Sequence, residues 1–242
     1  MKNWLVYQLR KLFRPKSVRC GSVVLYLGHL AGTPYARSIY RGSHETEERL
    51  VISRHLAAGD RVLEFGAGLG LITTLCCQTV GADNVVTFEA NHAMAPLLKR
   101  TFELNGIRPD LRMQMVAMDS GKGRFFVSDR FVVSSSFAGG KSAREVEVPS
   151  VSFQDVLNEV RPTFLIMDIE GSEVSLADES IDLTGVRKIC VEVHPGITGD
   201  DRTSALVRSL LNRGFQLELS SSRGDVLFFQ RPAAAIAFSA AA

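Results

Sequence analysis

Residues 61–70 read Arg-Val-Leu-Glu-Phe-Gly-Ala-Gly-Leu-Gly, and this stretch decides the fold. An apolar run leads to an acid, Glu64, and glycines follow at three alternate positions, Gly66, Gly68 and Gly70. Glycine tolerates positive φ and lets a ligand approach the backbone closely. The pattern therefore predicts a strand that enters a tight turn and then a helix, whose first N–H groups are free to face a ligand.

The spacing of these glycines separates two classes of nucleoside ligand. A dinucleotide fingerprint reads G-x-G-x-x-G, with the helix end facing a pyrophosphate. Here the spacing is G-x-G-x-G, and Leu71 stands where the dinucleotide pattern requires a glycine. Glu64 would repel a phosphate but would suit a cation. The turn therefore favours S-adenosylmethionine, whose amine and sulfonium are positive, over NAD.

The composition is that of an ordinary soluble globular protein. The chain has 242 residues, of which 45% are hydrophobic and 22% charged, enough for one domain with a substantial core. No apolar run reaches the roughly 20 residues that a membrane-spanning helix needs. The formal net charge is only +2, so the whole chain has no strong field for nucleic acid. Four cysteines without metal-type spacing predict reduced thiols in a cytoplasmic protein.

The N-terminal segment carries an uneven share of the charge. Residues 1–19 contain six Lys and Arg and no acid. Residues 3–13 are predicted to form a short amphipathic helix that ends before Pro15. Two interpretations stay open: the helix packs on the domain or covers the substrate site, or it makes a weak contact with a membrane surface. We assign residues 1–43 to this segment and its lead-in.

After residue 43, apolar strands alternate with periodic helices, the first of them a predicted helix over 44–57 with Ser43 as its N-cap. The other predicted helices cover residues 70–80, 91–105, 152–160, 172–178 and 200–213. The predicted strands cover residues 61–65, 84–88, 111–117, 163–168, 187–193, 215–219 and 225–230. Such alternation predicts an α/β domain over 44–230, with a mostly parallel seven-stranded sheet, an antiparallel edge strand and helices on both faces.

Two stretches depart from this alternation. Residues 119–149 hold glycines and short β segments without a helix signal, which predicts a small β insertion with a loop. That loop either covers a ligand or belongs to a plain surface hairpin. Residues 231–242 are mostly alanine and are predicted to form a flexible tail.

Acids stand at or just after the end of each of five predicted parallel strands. They are Glu64, Glu89, Asp119, Asp168 with Glu170, and Glu192, which His194 follows closely. Ligands of an open α/β sheet bind outside the carboxyl ends of its strands. Glu89 comes 19 residues after Gly70, about the distance at which a carboxylate meets ribose hydroxyls. Asp119 can accept a hydrogen bond from the amine of an adenine.

The same segments, taken together, resemble a known family. They read Leu-Glu-Phe-Gly-Ala-Gly-Leu-Gly at 63–70, Thr-Phe-Glu-Ala-Asn at 87–91, Met-Asp-Ile-Glu-Gly-Ser-Glu at 167–173 and Val-Glu-Val-His at 191–194. In this order, over about 44–230, they resemble the FkbM-type S-adenosylmethionine-dependent methyltransferases. Two positions depart from the family pattern: Glu64 stands where Asp is commoner, and Ala67-Gly68-Leu69 where many members read Ala-Asn-Ile.

The resemblance implies a Rossmann-like class I methyltransferase fold and transfer of a methyl group to a hydroxyl of a small molecule or sugar. It implies that Glu64 and the glycines hold the methionine end, Glu89 the ribose, and Asp168 and Glu170 the surroundings of the sulfonium. The predicted cofactor-binding residues are Glu64, Gly66, Ala67, Gly68, Gly70, Glu89, Ala90, Asn91, Asp119 and Asp168. The predicted catalytic residues are Asp168, Glu170, Glu192 and His194.

The proton acceptor for a hydroxyl remains open at this point. His194 has the most suitable intrinsic pKa, and Asp168, Glu170 or Glu192 could serve if burial raised their pKa. His194 could instead cap a strand or position a carboxylate. No metal is predicted, although Asp168, Glu170 and Glu192 could hold a divalent cation.

Two other function classes are weighed against a small-molecule or glycan O-methyltransferase. A nucleic-acid or other N-methyltransferase would need a basic groove or an aromatic pocket for a flipped base, whereas the chain beyond residue 19 is slightly acidic. We therefore expect no nucleic-acid partner. A non-catalytic S-adenosylmethionine-binding module would keep the fold without the chemistry. The oligomeric state is not predicted.

Overall fold

The computed structural model describes residues 2–128 and 143–232. Its helices are α1 (Lys2–Phe13), α2 (Ala36–Arg41), α3 (Thr46–His55), α4 (Leu71–Val80), α5 (Ala95–Leu104), α6 (Phe153–Val160), α7 (Pro195–Thr198) and α8 (Asp200–Asn212). Its strands are β1 (Ser17–Cys20), β2 (Val23–Tyr26), β3 (Val62–Phe65), β4 (Val85–Phe88), β5 (Asp110–Arg112), β6 (Met115–Ala117), β7 (Gly121–Ser128), β8 (Ala143–Ser152), β9 (Phe164–Met167), β10 (Lys188–Glu192), β11 (Gln216–Leu217) and β12 (Val226–Gln230). The alternation predicted from sequence is therefore present.

A seven-stranded sheet with the order β11-β12-β10-β9-β3-β4-β5 forms the centre of the domain. The pairs from β10 through β5 are parallel. Strand β12 runs antiparallel to both β10 and β11, so the antiparallel strand lies one place inside the edge rather than at the edge itself. Strand β3 is the first strand of this sheet along the chain, and it lies between β9 and β4. The order of the strands therefore reverses at β3, and ligands of such sheets bind at this point.

Both faces of this sheet are buried. Successive side chains of a strand point to opposite faces, so each strand contributes residues to two different cores. Leu63 and Phe65 of β3 face the core formed with α6 and α8. Val62 faces the other core, formed with α3 and α4. Glu64 follows the alternation of Val62, and its side chain therefore points toward α4, beneath the turn that follows β3. All four cysteines are free and buried.

The N-terminal segment is a structured layer of the domain. Strands β1 and β2 form an antiparallel hairpin whose apolar residues share a third core with α5 and with Ala67 and Leu69 of the glycine turn. The side chain of Asn105 bonds both backbone groups of Val24, and Thr101 accepts a hydrogen bond from Tyr26 N. The hairpin therefore packs on the domain, whereas the two interpretations given above concern helix α1.

Three local predictions are wrong in detail. Ser43 does not cap α3; its hydroxyl donates to Ser38 O, and α3 begins after Glu45. The predicted strand 111–117 is two strands, because the chain leaves the central sheet after β5 and β6 joins a separate sheet with β7 and β8. The predicted helix 172–178 is a 3₁₀ helix over Ser172–Ala177.

The insertion predicted at 119–149 is a β hairpin in its described part. Strands β7 and β8 pair antiparallel from Gly121–Ser150 to Ser128–Ala143. The loop of this insertion, residues 129–142, lies outside the described residues, as does most of the predicted tail, residues 233–242.

A buried acid, Asp60, joins the starts of three strands, at the end of the sheet opposite the glycine turn. The side chain of Asp60 is fully buried and accepts hydrogen bonds from Lys188 Nζ at 2.6 Å and Thr163 Oγ1 at 2.9 Å. Arg187 contributes a further ion pair at 3.2 Å. Burial alone would raise the pKa of Asp60, but these bonds outweigh it and lower the pKa. Asp60 therefore fixes the starts of β3, β9 and β10 relative to one another.

We predict that Asp60→Asn destabilises the protein by about 3 kcal/mol, because Lys188 would lose its charged partner in a largely buried setting. Chemical denaturation of both proteins at neutral pH measures this difference. Asp225→Asn, at an exposed position, is the control and should change the free energy of unfolding by less than about 0.5 kcal/mol. Equal stability of Asp60→Asn and the parent would contradict the assignment.

Candidate active site

The three glycines of the turn after β3 have different roles. A Cβ on Gly66 would lie 1.9 Å from the backbone oxygen of Asp168, and one on Gly70 would lie 2.7 Å from the ring of Phe102 on α5. Both residues also have positive φ, 95° and 81°. Side chains are therefore excluded at these two positions by packing. The space beside Gly68 is more open, since the nearest atom to a Cβ there is Glu45 Oε1 at 3.6 Å.

Glu89 directly follows β4 and holds the glycine turn in place from there. Its Oε2 accepts a hydrogen bond from Gly68 N at 2.9 Å, and its Oε1 accepts one from Asn91 N at 2.7 Å. Burial raises the pKa of Glu89 to about 7, although these backbone N–H groups oppose the rise. Glu89, Ala90 and Asn91 all line the cavity described below. The carboxylate is thus oriented before any ligand arrives.

Glu64 has a different position from the one predicted. Its Oε2 accepts hydrogen bonds from Thr73 Oγ1 of α4 at 2.5 Å and from Thr87 Oγ1 of β4 at 2.6 Å. The residue is 2% exposed, and burial raises its pKa to about 7. It supports the turn from below and is not among the cavity-lining residues, so its prediction as a contact of the methionine end is corrected.

Glu45, from the N-terminal lead-in, lies over the glycine turn instead. Its φ is 46°, an unusual value for a residue with a side chain. Its Oε1 is 3.1 Å from His44 Nε2, while its Oε2 is buried with no hydrogen-bond partner among the described residues. The sequence pattern presented Glu45 only as an acid in a first helical turn, and nothing in it indicated a place above residues 66–70.

A cavity of about 590 Å³ extends from the turn across the ends of β3, β4, β9 and β10, a volume typical of small-molecule sites. Gly66, Gly68 and Glu89 lie on one side of it. Asp168, Glu170 and Glu192 follow the strands on the other side. Helix α2 contributes Arg37 and Arg41, both exposed.

His194 is held behind the acids by a buried glutamate. Glu173, which is fully buried, accepts hydrogen bonds from His194 N at 2.9 Å and Gly171 N at 2.7 Å, and its Oε1 is 3.2 Å from His194 Nδ1. This contact leaves His194 Nε2 toward Asp168 Oδ1 at 3.6 Å and Glu170 Oε2 at 3.5 Å. Sequence reasoning quoted Glu173 within the Asp-x-Glu-Gly-x-Glu motif but gave it no role; the motif was the available signal.

The charges of this group depend on one another. Burial raises the pKa of Asp168 to about 8, with His194 opposing the rise and Glu170 adding to it. Burial by itself lowers the pKa of His194, but the hydrogen bond to Glu173 and the nearby carboxylates more than reverse this, so the pKa is raised. The raised pKa favours the protonated form of His194 near neutral pH. Asp168 Oδ1 is buried and, within the described part of the chain, has no hydrogen-bond partner.

Glu192 at the end of β10 is hydrogen-bonded to a second glutamate. Burial, followed by a hydrogen bond to Glu48 of α3, raises the pKa of Glu192 to about 10. Glu48 is itself 7% exposed. Two carboxylates in contact cannot both ionise at low cost, which is why this contact favours the neutral form of Glu192. The sequence pattern assigned Glu48 no place in the site, because an acid in the first turn of a helix is already accounted for by the helix dipole.

The structure brings most of the predicted site residues together. Those that line the cavity are Gly66, Gly68, Glu89, Ala90, Asn91, Asp168, Glu170 and Glu192. Ala67 and Gly70 lie within the turn and pack against the N-terminal layer and α5. His194 contacts the acids without being a lining residue. Asp119 is exposed and is not brought to the cavity, because the chain has already left the central sheet; Gln114, Met115 and Val116 line that side instead.

A divalent cation could be held by part of this group. One ligand atom each from Asp168, Glu192 and His194 lies within 4.8 Å of the others. The set differs from the sequence-based one by His194 in place of Glu170. His194 would have to lose its proton to bind a metal, which the surrounding carboxylates oppose.

Several solved structures that match this chain are methyltransferases. Trm1 from Pyrococcus horikoshii, in complex with S-adenosyl-L-methionine, is 12% identical with a TM-score of 0.50, over 92% of this chain and 63% of that one. The ribosomal protein L11 methylase from Lactobacillus delbrueckii subsp. bulgaricus is 13% identical with a TM-score of 0.45, over 78% and 80%. The O-methyltransferase from Bacillus cereus, in complex with SAH, is 15% identical with a TM-score of 0.44, over 78% and 82%.

No curated protein matches the chain in sequence. At 12% identity, the likeness to Trm1 shows only the fold, which is the Rossmann-like class I methyltransferase fold predicted from sequence. The family follows from a sequence model of the Methyltransferase FkbM domain, which matches residues 54–217, more than half of the chain. This range includes the glycine turn and all four predicted catalytic residues, while Glu45 and Glu48 precede it. The chain therefore belongs to the FkbM family of methyltransferases, whose methyl donor is S-adenosylmethionine.

Proposed function

We propose that this protein is an O-methyltransferase that acts on a hydroxyl of a small molecule or sugar. The observation that carries the proposal is Asp168. Its Oδ1 is buried without a hydrogen-bond partner among the described residues and lies 3.6 Å from His194 Nε2, and its backbone oxygen lies against Gly66 of the glycine turn. A carboxylate with a raised pKa in this position suits removal of a proton from a hydroxyl.

The residues around the turn fit S-adenosylmethionine. Glu89 presents an oriented carboxylate that can accept from both ribose hydroxyls. Glu45 Oε2 and Asp168 Oδ1 are buried acceptors without hydrogen-bond partners in the described residues, and a positively charged amine or sulfonium would compensate them. The donor supplies an activated methyl group on a sulfonium. No protein nucleophile is then required, and the chain's task is to align the acceptor and take its proton.

Asp168 is the proposed base. When bound, S-adenosylmethionine would supply the methyl group and keep the electrons of its broken sulfur–carbon bond, and Asp168 would take the proton of the acceptor hydroxyl. His194 is the proposed positioning residue: Glu173 fixes its ring and its charge stabilises the ionised form of Asp168. The expectation that His194 is the base is less favoured, because its pKa is raised and it already holds a proton near neutral pH.

The charge of the cavity favours a small acceptor over a nucleic acid. The acids that line it are Glu45, Glu47, Glu48, Glu89, Asp168, Glu170 and Glu192. Against these stand the exposed Arg37 and Arg41 of α2. A polyanion needs several Lys or Arg for its phosphates. The raised pKa values of Glu89, Asp168 and Glu192 reduce the negative charge of the cavity, but among the described residues its lining offers a phosphate backbone two arginines and no lysine. A neutral polyol or a compound with few charges has no such requirement.

We predict that Glu89→Ala weakens S-adenosylmethionine binding at least about tenfold, since about 1.4 kcal/mol of hydrogen bonding to the ribose would be lost. Titration calorimetry on the purified protein measures it. Glu89→Gln keeps an acceptor oxygen for Gly68 N and should show a smaller loss. Glu103→Ala, an exposed acid on α5, is the control. Unchanged affinity in Glu89→Ala would remove Glu89 from the site.

The pH dependence of methyl transfer separates the roles of the acids and His194. Activity should rise with pH as Asp168 ionises, near pH 8. Since His194 lowers the pKa of Asp168 and Glu170 raises it, His194→Gln should move this rise to higher pH and Glu170→Gln to lower pH. Glu147→Gln is the control: Glu147 lies on β8 in an exposed ion pair with Lys122, and its replacement should leave the pH of this rise unchanged. Shifts in the same direction for both variants would contradict the assignment.

The reaction itself is tested by methyl transfer from labelled S-adenosylmethionine to a panel of sugars, hydroxylated small molecules and RNA. We expect transfer to a hydroxyl compound, and a loss of about 10²-fold or more in kcat for Asp168→Asn. Labelling of RNA alone would establish a nucleic-acid methyltransferase instead. Tight donor binding with no transfer to any compound would favour a binding module.

A further inference from the structure

Helix α1 presents an apolar face to solvent. Leu5, Leu9, Leu12 and Phe13 follow the spacing i, i+4, i+7 and i+8, which places them on one side of a helix. Their exposed fractions are 55%, 46%, 72% and 74%. Trp4 nearby is 66% exposed. Large exposed apolar side chains clustered in this way usually mark a surface that binds a protein, a membrane or a ligand.

The opposite side of α1 is fixed to the domain. Arg41 of α2 lies over the ring of Tyr7, 5.1 Å from its centroid. Arg10 donates hydrogen bonds to the backbone oxygens of Tyr40 and Arg19 at 3.2 and 3.3 Å. These contacts hold the helix in one orientation, and in that orientation its apolar face is turned away from the protein. The helix therefore does not cover the cavity or bury its leucines in the core.

The surroundings of this face are basic. Residues 1–44 contain eight Lys and Arg and no Asp or Glu. Lys11, Arg14, Lys16 and Arg19 are exposed on or just after the helix. A second copy of the chain would bring this basic segment against itself, which like charges oppose. A partner with an apolar interior and a negatively charged surface would complement this apolar face and its basic surroundings.

We propose that α1 docks the protein on an anionic lipid bilayer, with its apolar face in the headgroup region and the basic residues on lipid phosphates. A helix of 12 residues is roughly 18 Å long, too short to span a bilayer. In the described parts of the chain, none of the helices has the length and hydropathy of a membrane span. Helix α1 thus lies on the surface. The proposal stands on α1 and its charges and does not depend on the proposed function.

Flotation of the full chain with vesicles tests this. Vesicles of equal parts phosphatidylcholine and phosphatidylglycerol should bind the protein at least about tenfold more than phosphatidylcholine alone, and added salt should reduce the binding. Leu12→Ser/Phe13→Ser and Lys11→Glu/Lys16→Glu should each lose most of it. All four positions are exposed, so the fold should survive, and thermal unfolding checks that it does.

Matched controls change the same chemistry elsewhere. Leu219→Ser replaces an equally exposed leucine, 76% exposed, and Lys99→Glu/Arg208→Glu reverses two exposed charges on α5 and α8; both should bind vesicles like the parent. Parent-like binding of Leu12→Ser/Phe13→Ser would overturn the proposal. So would a failure to bind anionic vesicles together with a solution dimer that Leu12→Ser/Phe13→Ser dissociates, which would assign the face to a second copy.

Discussion

The contact between Gly66 and the backbone oxygen of Asp168 is the constraint on which the site depends. Only a residue without a side chain permits it, because a Cβ would come within 1.9 Å of that oxygen. The contact brings the ends of β3 and β9 together, and Asp168 N bonds Phe65 O at the same place. The glycine turn and the acids on the other side of the cavity are therefore neighbours. Gly70 and Glu89 then fix the turn from α5 and β4.

A second constraint is the charge that this closeness creates. Several carboxylates meet in one partly buried space, and each raises the cost of ionising the others. The protein relieves this in two ways. Glu173 holds His194 against the acids, whose charges raise its pKa, and burial with a hydrogen bond to Glu48 raises the pKa of Glu192. Glu170 and Gly171, with φ values of 50° and 106°, form the bend that turns this part of the chain back toward His194. Strain of this kind is common where a backbone serves a site.

The strands and helices of the central domain were predictable, because their signals are local. Buried strands of four or five apolar residues and helices of periodic pattern require no knowledge of partners. The exceptions have physical causes. The stretch 111–117 is uniformly β-like, and only pairing decides that β5 stays in the sheet while β6 leaves it. Ser43 is a good capping residue, but the chain reaches α3 through a strained Glu45. Helix α1 was predicted, whereas the side on which it packs was not.

The sequence by itself determined the fold class, the glycine turn and the acids at the strand ends, since each depends on residue type and spacing along the chain. The tertiary structure decided which of these acids face the cavity. Strand alternation sends Glu64 toward α4, and the departure of the chain from the sheet leaves Asp119 outside. It also brought in Glu45, Glu48 and Glu173, which sequence reasoning had given no role in the site. Their positions follow from packing between distant segments, which carries no local signal.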